Sequence, residues 1–222
     1  MPEQNPNRKQ SYVTLITVLV IVIVLGVAGY YAWKAFAGGT EPVSEPTPVP
    51  QAPVDTTVAF ASSTLGVSLK YPQAFILDEA FANTSVNPKK PISGVQFKIP
   101  VAMATGTNLS ADSYVSLEQL PRAKVCTGDI FIAANVKPMT FVDGAITYSV
   151  ATSSGAGAGN FYEEAVFAVS GSSPCIAIRY FVHSTNIGNY PAGSVQEFNR
   201  AALVAEFDKI RHSLIVQPAV TP

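Results

Sequence analysis

Cysteine is the most chemically distinctive residue type in this sequence, and the chain contains two, Cys126 and Cys175. A redox site would favour a Cys-x-x-Cys spacing, which this pair lacks. Each cysteine adjoins a predicted β-strand, in a part of the chain that other features predict to be exported, where disulfides persist. We therefore expect a Cys126–Cys175 disulfide that closes a loop of roughly 50 residues.

A cysteine nucleophile would need a neighbouring base, and the chain has two histidines, His183 and His212. Sortases combine cysteine, histidine and arginine, the types found at Cys175, Arg179 and His183. The histidine of a sortase precedes its cysteine, whereas both histidines here follow both cysteines, and no Thr-Leu-x-Thr-Cys run is present. The sequence thus assigns no catalytic residues.

The remaining polar patterns favour structure over catalysis. The two histidines have neither the His-x-x-x-His nor the Glu-x-x-His spacing of a transition-metal site, so we predict no metal ligand and no cofactor. Glu163 and Glu164 are adjacent in a predicted strand and must point to opposite faces, so they cannot flank one glycosidic bond. The glycine-rich stretch 151–160 lacks a following Gly-Lys-Ser/Thr and is predicted to be a mobile hairpin loop.

One polar stretch, 184–191, is a candidate binding loop. It contains glycine and proline and lies just before a predicted helix, in a place where loops often contact partners. The residues proposed for such a contact are Asn186, Asn189 and Tyr190. A plain connector between two elements is the alternative interpretation of the same stretch.

The N-terminal part of the sequence is much more apolar than the rest. Hydrophobic residues make up 48% of the 222 residues and charged residues only 13%, about half of the ~25% that is usual for soluble proteins. Residues 12–33 carry no charge, and as an α-helix they would extend ~33 Å, enough for the ~30 Å core of a bilayer. We therefore predict a transmembrane helix in contact with lipid at 12–33, anchored through Tyr12, Val20, Leu25 and Trp33.

Cations near the two ends of this segment set its predicted orientation. Arg8 and Lys9 precede it, whereas Lys34 alone follows it closely, which favours a cytoplasmic N-terminus and a periplasmic or cell-surface C-terminal domain. A signal peptide cleaved after Ala37 is the alternative, since residues 35–37 are Ala-Phe-Ala. Under either interpretation the domain is exported.

Composition divides the chain into segments. Five prolines lie within 34–55, which favours an extended polyproline II linker, with an SH3-type ligand as the alternative. The predicted organisation is a cytoplasmic tail at 1–11, the helix at 12–33, the linker at 34–55, a domain at 56–217 and a tail at 218–222. The formal net charge of the chain is −1, and acidic and basic residues balance within the domain, which argues against a nucleic-acid partner.

Within the domain, short runs of β-branched and aromatic residues recur between turn-forming residues, as in antiparallel hairpins. Asp143-Gly144 marks a tight turn. A helical periodicity runs over 195–214, with Ser194 as the predicted N-cap and Glu197 completing a capping box. We predict an α+β fold, with a mostly antiparallel sheet covered by a C-terminal helix and preceded by the transmembrane helix. The predicted strands are 66–71, 95–99, 113–119, 130–134, 139–141, 145–150, 161–169 and 175–183, with a short edge strand at 215–216.

Two short segments resemble a known family. Leu65-Gly-Val-Ser-Leu-Lys-Tyr-Pro72, followed by Phe75, resembles the opening of PsbP-like domains. Residues 207–214 are similar to the closing helix of bacterial, membrane-anchored relatives of that family. The resemblance implies an antiparallel sheet with packed helices that serves as a binding or assembly module, and it transfers no catalytic residues.

These features together predict a function class. We expect a membrane-anchored extracytoplasmic binding or assembly domain with no catalytic activity, whose ligand the sequence does not name. One alternative is a cell-envelope hydrolase whose site is assembled from scattered residues. The other is a subunit of a larger complex in a bacterial cell envelope, with an envelope protein as its partner.

Overall fold

The computed structural model describes residues 25–27, 30, 31, 34 and 56–217. Contacts divide the chain into two units, Met1–Val54 and Asp55–Pro222. The described residues of the second unit form strands β1–β11, helices α1 and α2, and two 3₁₀ turns. The strands are β1 (Thr57–Ser62), β2 (Val67–Pro72), β3 (Ile76–Asp78), β4 (Ala82–Asn83), β5 (Ile92–Lys98), β6 (Tyr114–Leu120), β7 (Met139–Asp143), β8 (Ile146–Gly157), β9 (Asn160–Val169), β10 (Cys175–Thr185) and β11 (Ile215–Val216). The helices are α1 (Val101–Ala104) and α2 (Arg200–His212), and the 3₁₀ turns are Gly128–Phe131 and Ile187–Asn189.

The predicted transmembrane helix is wrong for the part of the chain that the structure describes. A membrane span needs about 20 apolar residues in one helix, and no helix among the described residues is long and apolar enough. The predicted single-pass membrane localisation depends on such a helix and is wrong on the same ground. Leu25 is described and 66% exposed. Tyr12, Val20 and Trp33 lie outside the described residues, as do both predicted tails and the linker after Lys34.

The fold is β-rich, and the predicted α+β class with a transmembrane helix is wrong. Strands account for 44% of the structure, and the predicted helix over 195–214 begins only at Arg200. The main chain of Gln196 instead bonds to the segment 106–108, through Gly106 and Asn108. The cap is Asn199, whose side chain accepts a hydrogen bond from the Ala202 amide. Pairing with a distant segment therefore displaces the helix start from the predicted cap at Ser194.

The strands pair antiparallel in two sheets. The smaller sheet has the order β1-β2-β11, and the larger has the order β3-β5-β6-β10-β9-β8-β7 with β4 paired to β5. The predicted strand at 130–134 is wrong, because the chain there forms the 3₁₀ turn Gly128–Phe131 and then a loop. The predicted edge strand at 215–216 is confirmed as β11.

The mobile loop predicted at 151–160 is also wrong, because β8 and β9 continue through the glycines. Gly155 pairs with Tyr162 and Gly157 pairs with Asn160, so a two-residue turn closes the hairpin. Both turn residues, Ala158 and Gly159, have positive φ angles of 50° and 78°, as a type I′ turn requires. The register with β9 thus orders the glycine-rich segment.

The two faces of the larger sheet are covered differently. The helix face is covered by α2 and the small sheet, and its core includes Phe97, Leu117, Ile178, Leu203 and Phe207. The loop face is covered by the segment 121–137, and its core includes Phe131, Ile132, Val166, Ala168 and Ala177. The central strand β10 contributes to both cores, which is why it is buried along most of its length.

The predicted disulfide is confirmed. Cys126 and Cys175 are bonded, with their Cα atoms 5.1 Å apart and a sequence separation of 49. The bond joins the segment 121–137 to the first residue of β10. It therefore fastens the cover of the loop face to the centre of the sheet.

Candidate functional site

A cleft of about 810 Å³ opens between α2, strands β7 to β10 and the end of the segment 121–137. We call it the helix-side cleft. Its volume lies within the ~300–1,000 Å³ range of small-molecule sites. Half of its lining residues are apolar or aromatic, among them Val136, Phe141, Phe167, Tyr180, Val182 and Val204.

Arg211 forms a fixed part of the wall of this cleft. Its side chain is 4% exposed, and it donates hydrogen bonds to Tyr180, Asp208 and Asp143. The guanidinium also lies 4.8 Å from the centre of the Phe167 ring. Burial alone would lower the pKa of Arg211, but Tyr180 and the two carboxylates raise it above its ordinary value. Arg211 therefore stays charged and supports the wall.

The mouth of the cleft carries a looser ion pair between Arg200 and Glu163. The Arg200 Nη2 atom lies 2.6 Å from Glu163 Oε2, and the two side chains are 60% and 37% exposed. Because such exposed pairs contribute only about 0–1 kcal/mol, a ligand can separate them at little cost. Arg200 is thus the cation of the cleft that is accessible to an incoming anion.

A second cleft of about 710 Å³ continues from the first. The two share Ser154, Glu163 and Arg200. We call the two clefts together the β8 groove, because residues of β8 line both of them. Its second half is lined by Phe161, Ser184, Asn186, Ile187 and Phe198, among others.

The groove runs along a free edge of β8. Strand β7 pairs with β8 only from Ile146 to Val150, whereas β9 pairs with it as far as Gly157. In an antiparallel sheet, the main-chain groups of alternate residues bond to opposite neighbouring strands. Gly157 closes the hairpin with Asn160, so the odd-numbered residues of β8 bond to β9 and the main-chain groups of the even-numbered residues point away from it. The main-chain N–H and C=O groups of Thr152, Ser154 and Ala156 therefore face the groove, and they have no hydrogen-bond partner among the described residues.

The predicted binding loop lies at one end of the groove. Asn186 lines it, but the Asn186 side chain also accepts a hydrogen bond from the Gly188 amide at 2.9 Å. Asn189 donates to the Gly159 carbonyl at 3.1 Å, and the Tyr190 amide bonds to Ile187. The structure thus brings Asn186 to the groove, while Asn189 fastens the loop to the β8–β9 turn.

A buried ion network occupies the loop face. Arg179 donates to both carboxylate oxygens of Glu118, at 2.7 and 3.0 Å, and to Glu164 at 2.7 Å. Glu118 also accepts hydrogen bonds from Ser116 and Asn83. Burial raises the pKa of Glu164, while Arg179 opposes this and Glu118 adds to it. The network is internally satisfied and supports the sheet.

The described residues do not assemble the sortase-like set. Cys175 is bonded to Cys126, and Arg179 is engaged with the two glutamates. His183 lies 2.8 Å from Asp112 and stacks on Tyr162 at the loop face. Within residues 56–217, no three His, Cys, Asp or Glu side chains come together to hold a metal ion. The groove lining also contains no histidine or cysteine among the described residues.

The comparisons with known proteins give a structural match but no family. No protein-family model matches the chain, and a comparison with curated proteins gives no match either. A crystal structure of a protein from Bacteroides thetaiotaomicron VPI-5482, determined at 1.50 Å resolution, is similar with 9% sequence identity and a TM-score of 0.44. The likeness covers 75% of this chain and 50% of that chain, so this chain spans about half the length of that structure. The resemblance to PsbP-like domains stays a prediction.

Sequence reasoning missed the groove because its lining is assembled from distant segments. Thr152 and Ser154 lie in a stretch that its glycines mark as a loop, and Arg200 lies in the predicted helix without any distinguishing motif. One signal was present: Glu163 and Glu164 do point to opposite faces, towards Arg200 and Arg179 respectively. That alternation identifies β9 as a strand with a charged residue on each face.

Proposed function

We propose that this domain binds an extended segment of a partner protein, which adds as a strand to the free edge of β8. The observation that carries the proposal is the row of outward main-chain groups at Thr152, Ser154 and Ala156 along the groove. Strand addition provides affinity through main-chain hydrogen bonds and specificity through pockets for alternate side chains. The groove supplies both, so the proposed function is binding without catalysis.

The lining of the groove defines the chemistry of the segment. A side chain beside Thr152 on the helix face enters the cleft lined by Phe141, Phe167 and Val204, which favours an apolar residue. The next side chain on that face, two residues away, lies beside Ser154, whose partner on β9 is Glu163. An acidic residue there can replace Glu163 as the partner of Arg200. The expected segment therefore carries an apolar and an acidic residue two positions apart.

The test selects binders from a displayed library of random linear peptides against the full-length chain. Selected peptides are synthesised, and their dissociation constants are measured for the wild type and for Ser154→Pro. Proline removes the outward N–H of Ser154 and leaves the β9 ladder intact, since that N–H faces the groove. The matched control is Val142→Pro, at an outward position of the edge strand β7 outside the groove.

We expect the selected peptides to share the apolar and acidic pair and to bind Ser154→Pro about tenfold more weakly, since a strand-addition hydrogen bond and its geometry are lost. Val142→Pro should bind as the wild type does. Thermal unfolding of both variants checks that they fold. Equal affinity of the wild type and Ser154→Pro, with both folded, would overturn the proposal, and so would a library that yields no binder to this groove.

A further inference from the structure

A separate pocket of about 680 Å³ lies between the residues before β5 and the segment 121–130. It shares no residue with the β8 groove. Its apolar lining includes Leu120, Pro121, Val125 and Ile130. Val125 is 67% exposed at the surface. We call it the basic pocket, because of the charges at its rim.

Three cations surround the basic pocket, Lys90, Arg122 and Lys124, and no acidic residue lines it. All three are exposed, and none of them forms an ion pair among the described residues. The arginines of the rest of the domain behave differently, because Arg179, Arg200 and Arg211 each have a carboxylate partner. Three cations without an ion pair thus lie around one apolar depression, in a chain whose net charge is −1.

The wall that carries two of these cations is held in place. Arg122 and Lys124 follow the end of β6 and precede Cys126, whose disulfide ties this segment to β10. A pocket with a fixed wall needs little ordering when a ligand binds, which favours affinity. The shape is therefore available before binding.

We propose that the basic pocket binds a free amphipathic carboxylate, with its hydrocarbon part against Leu120, Val125 and Ile130 and its carboxylate among Lys90, Arg122 and Lys124. The apolar lining supplies the main favourable contribution, through burial of hydrocarbon. The cations select the sign of the head group, because an ammonium there meets three like charges. A ligand with the same hydrocarbon part and a neutral head group gains the burial of hydrocarbon but not the attraction to the cations.

The experiment titrates the full-length chain with decanoate, below the concentration at which it forms micelles, and follows amide chemical shifts and heats of binding. Decyltrimethylammonium and decanol present the same chain with a positive or a neutral head, and acetate presents the carboxylate without the chain. We expect saturable decanoate binding with shifts over residues 120–130, weaker binding of decanol, and none of the other two probes.

Variants locate the site. Arg122→Gln with Lys124→Gln should weaken decanoate binding about fivefold, and Val125→Asp should abolish it, while both keep the fold because the three residues are exposed. Lys137→Gln, an exposed cation outside the pocket, is the matched control and should bind as the wild type does. Equal binding of decyltrimethylammonium, or shifts that stay unchanged in the pocket variants, would overturn the proposal. Binding to phosphatidylglycerol vesicles without binding of monomeric decanoate would also overturn it, in favour of a lipid surface.

Discussion

Arg179 and Glu118 form a two-pronged ion pair, with Nε 2.7 Å from Oε1 and Nη2 3.0 Å from Oε2, and each side chain is 1% exposed. The same guanidinium also donates to Glu164 on the neighbouring strand, so that one cation serves two carboxylates. The loop face of the sheet thus contains a buried charge centre formed by Arg179, Glu118 and Glu164. The effect of this ion network on the free energy of unfolding can be measured separately from ligand binding at the β8 groove.

Replacing Arg179 with methionine leaves Glu118 buried without its cation. Because an uncompensated buried charge is costly, we expect Arg179→Met to lower the free energy of unfolding by about 3–5 kcal/mol in urea titrations. The matched control is Arg200→Met, which breaks an exposed pair and should cost less than about 1 kcal/mol. Equal losses in the two variants would contradict the structural role assigned to the buried network.

Glu164 gives the network a defined pH dependence. Burial raises the pKa of Glu164 above 4.5, so the folded protein holds this proton to a higher pH than the unfolded chain does. The contribution of Glu164 to stability therefore falls as the pH rises from below 4.5 through the raised pKa. Glu164→Gln does not titrate, so the wild type should lose stability relative to this variant across that window.

The check combines urea unfolding of both proteins over a pH series with an NMR titration of the Glu164 carboxyl carbon. The titration should give a midpoint above 4.5, in the same window as the stability change. A stability difference that stays constant with pH, or that moves in the opposite direction, would refute the expected titration.

The disulfide is expected to contribute mainly by restricting the unfolded chain. For a sequence separation of 49, the chain-entropy relation gives about 4 kcal/mol, so Cys126→Ala with Cys175→Ala should lower the free energy of unfolding by that amount. Adding a thiol reductant to the wild type should give a similar loss. The double variant serves as the control, because its unfolding must not respond to reductant. A wild-type protein that is equally stable with and without reductant would count against the assignment.

The start of α2 can be tested by comparing two caps. The Asn199 side chain accepts a hydrogen bond from the Ala202 amide at 3.0 Å, so Asn199→Ala should lower the free energy of unfolding by about 1 kcal/mol. Ser194→Ala, at the cap predicted from sequence, should change it by less than about 0.5 kcal/mol. The reverse order in thermal or urea unfolding would place the helix start at the earlier residue.

The strands were more predictable than the helix boundary because their signal is local. An alternating or continuously apolar pattern, which is typical of β-strands, covers residues 161–169 and 175–183. These residues form β9 and β10, and the predicted boundaries lie within a few residues of the observed ones. The helix start was not predictable, because Gln196 bonds to the distant segment around Asn108. The pattern of apolar and polar residues gives no information on which distant residue a main-chain group will bond to.

The candidate site shows the same division. The disulfide followed from there being two cysteines, and the opposite orientation of Glu163 and Glu164 followed from strand geometry. The free edge of β8 could not be predicted from the sequence, because it depends on the different lengths of the neighbouring strands. The pairing of β7 with β8 stops at Val150, whereas the pairing of β9 with β8 extends to Gly157. Such a mismatch between neighbouring strands becomes visible only when their register is known.

Because the turn at Ala158 and Gly159 has two residues, Glu163 and Glu164 help to fix the register of β9 against its neighbouring strands. If the turn keeps two residues, inserting one residue there shifts β9 by a single position and exchanges the faces on which Glu163 and Glu164 lie. Glu163 would then take the place of Glu164 beside Arg179, while Glu164 would move to the position of Ala165, among the apolar side chains of the helix face. Electrostatics and packing therefore both disfavour a hairpin with a shifted register, and we expect insertions and deletions at Ala158 and Gly159 to be destabilising.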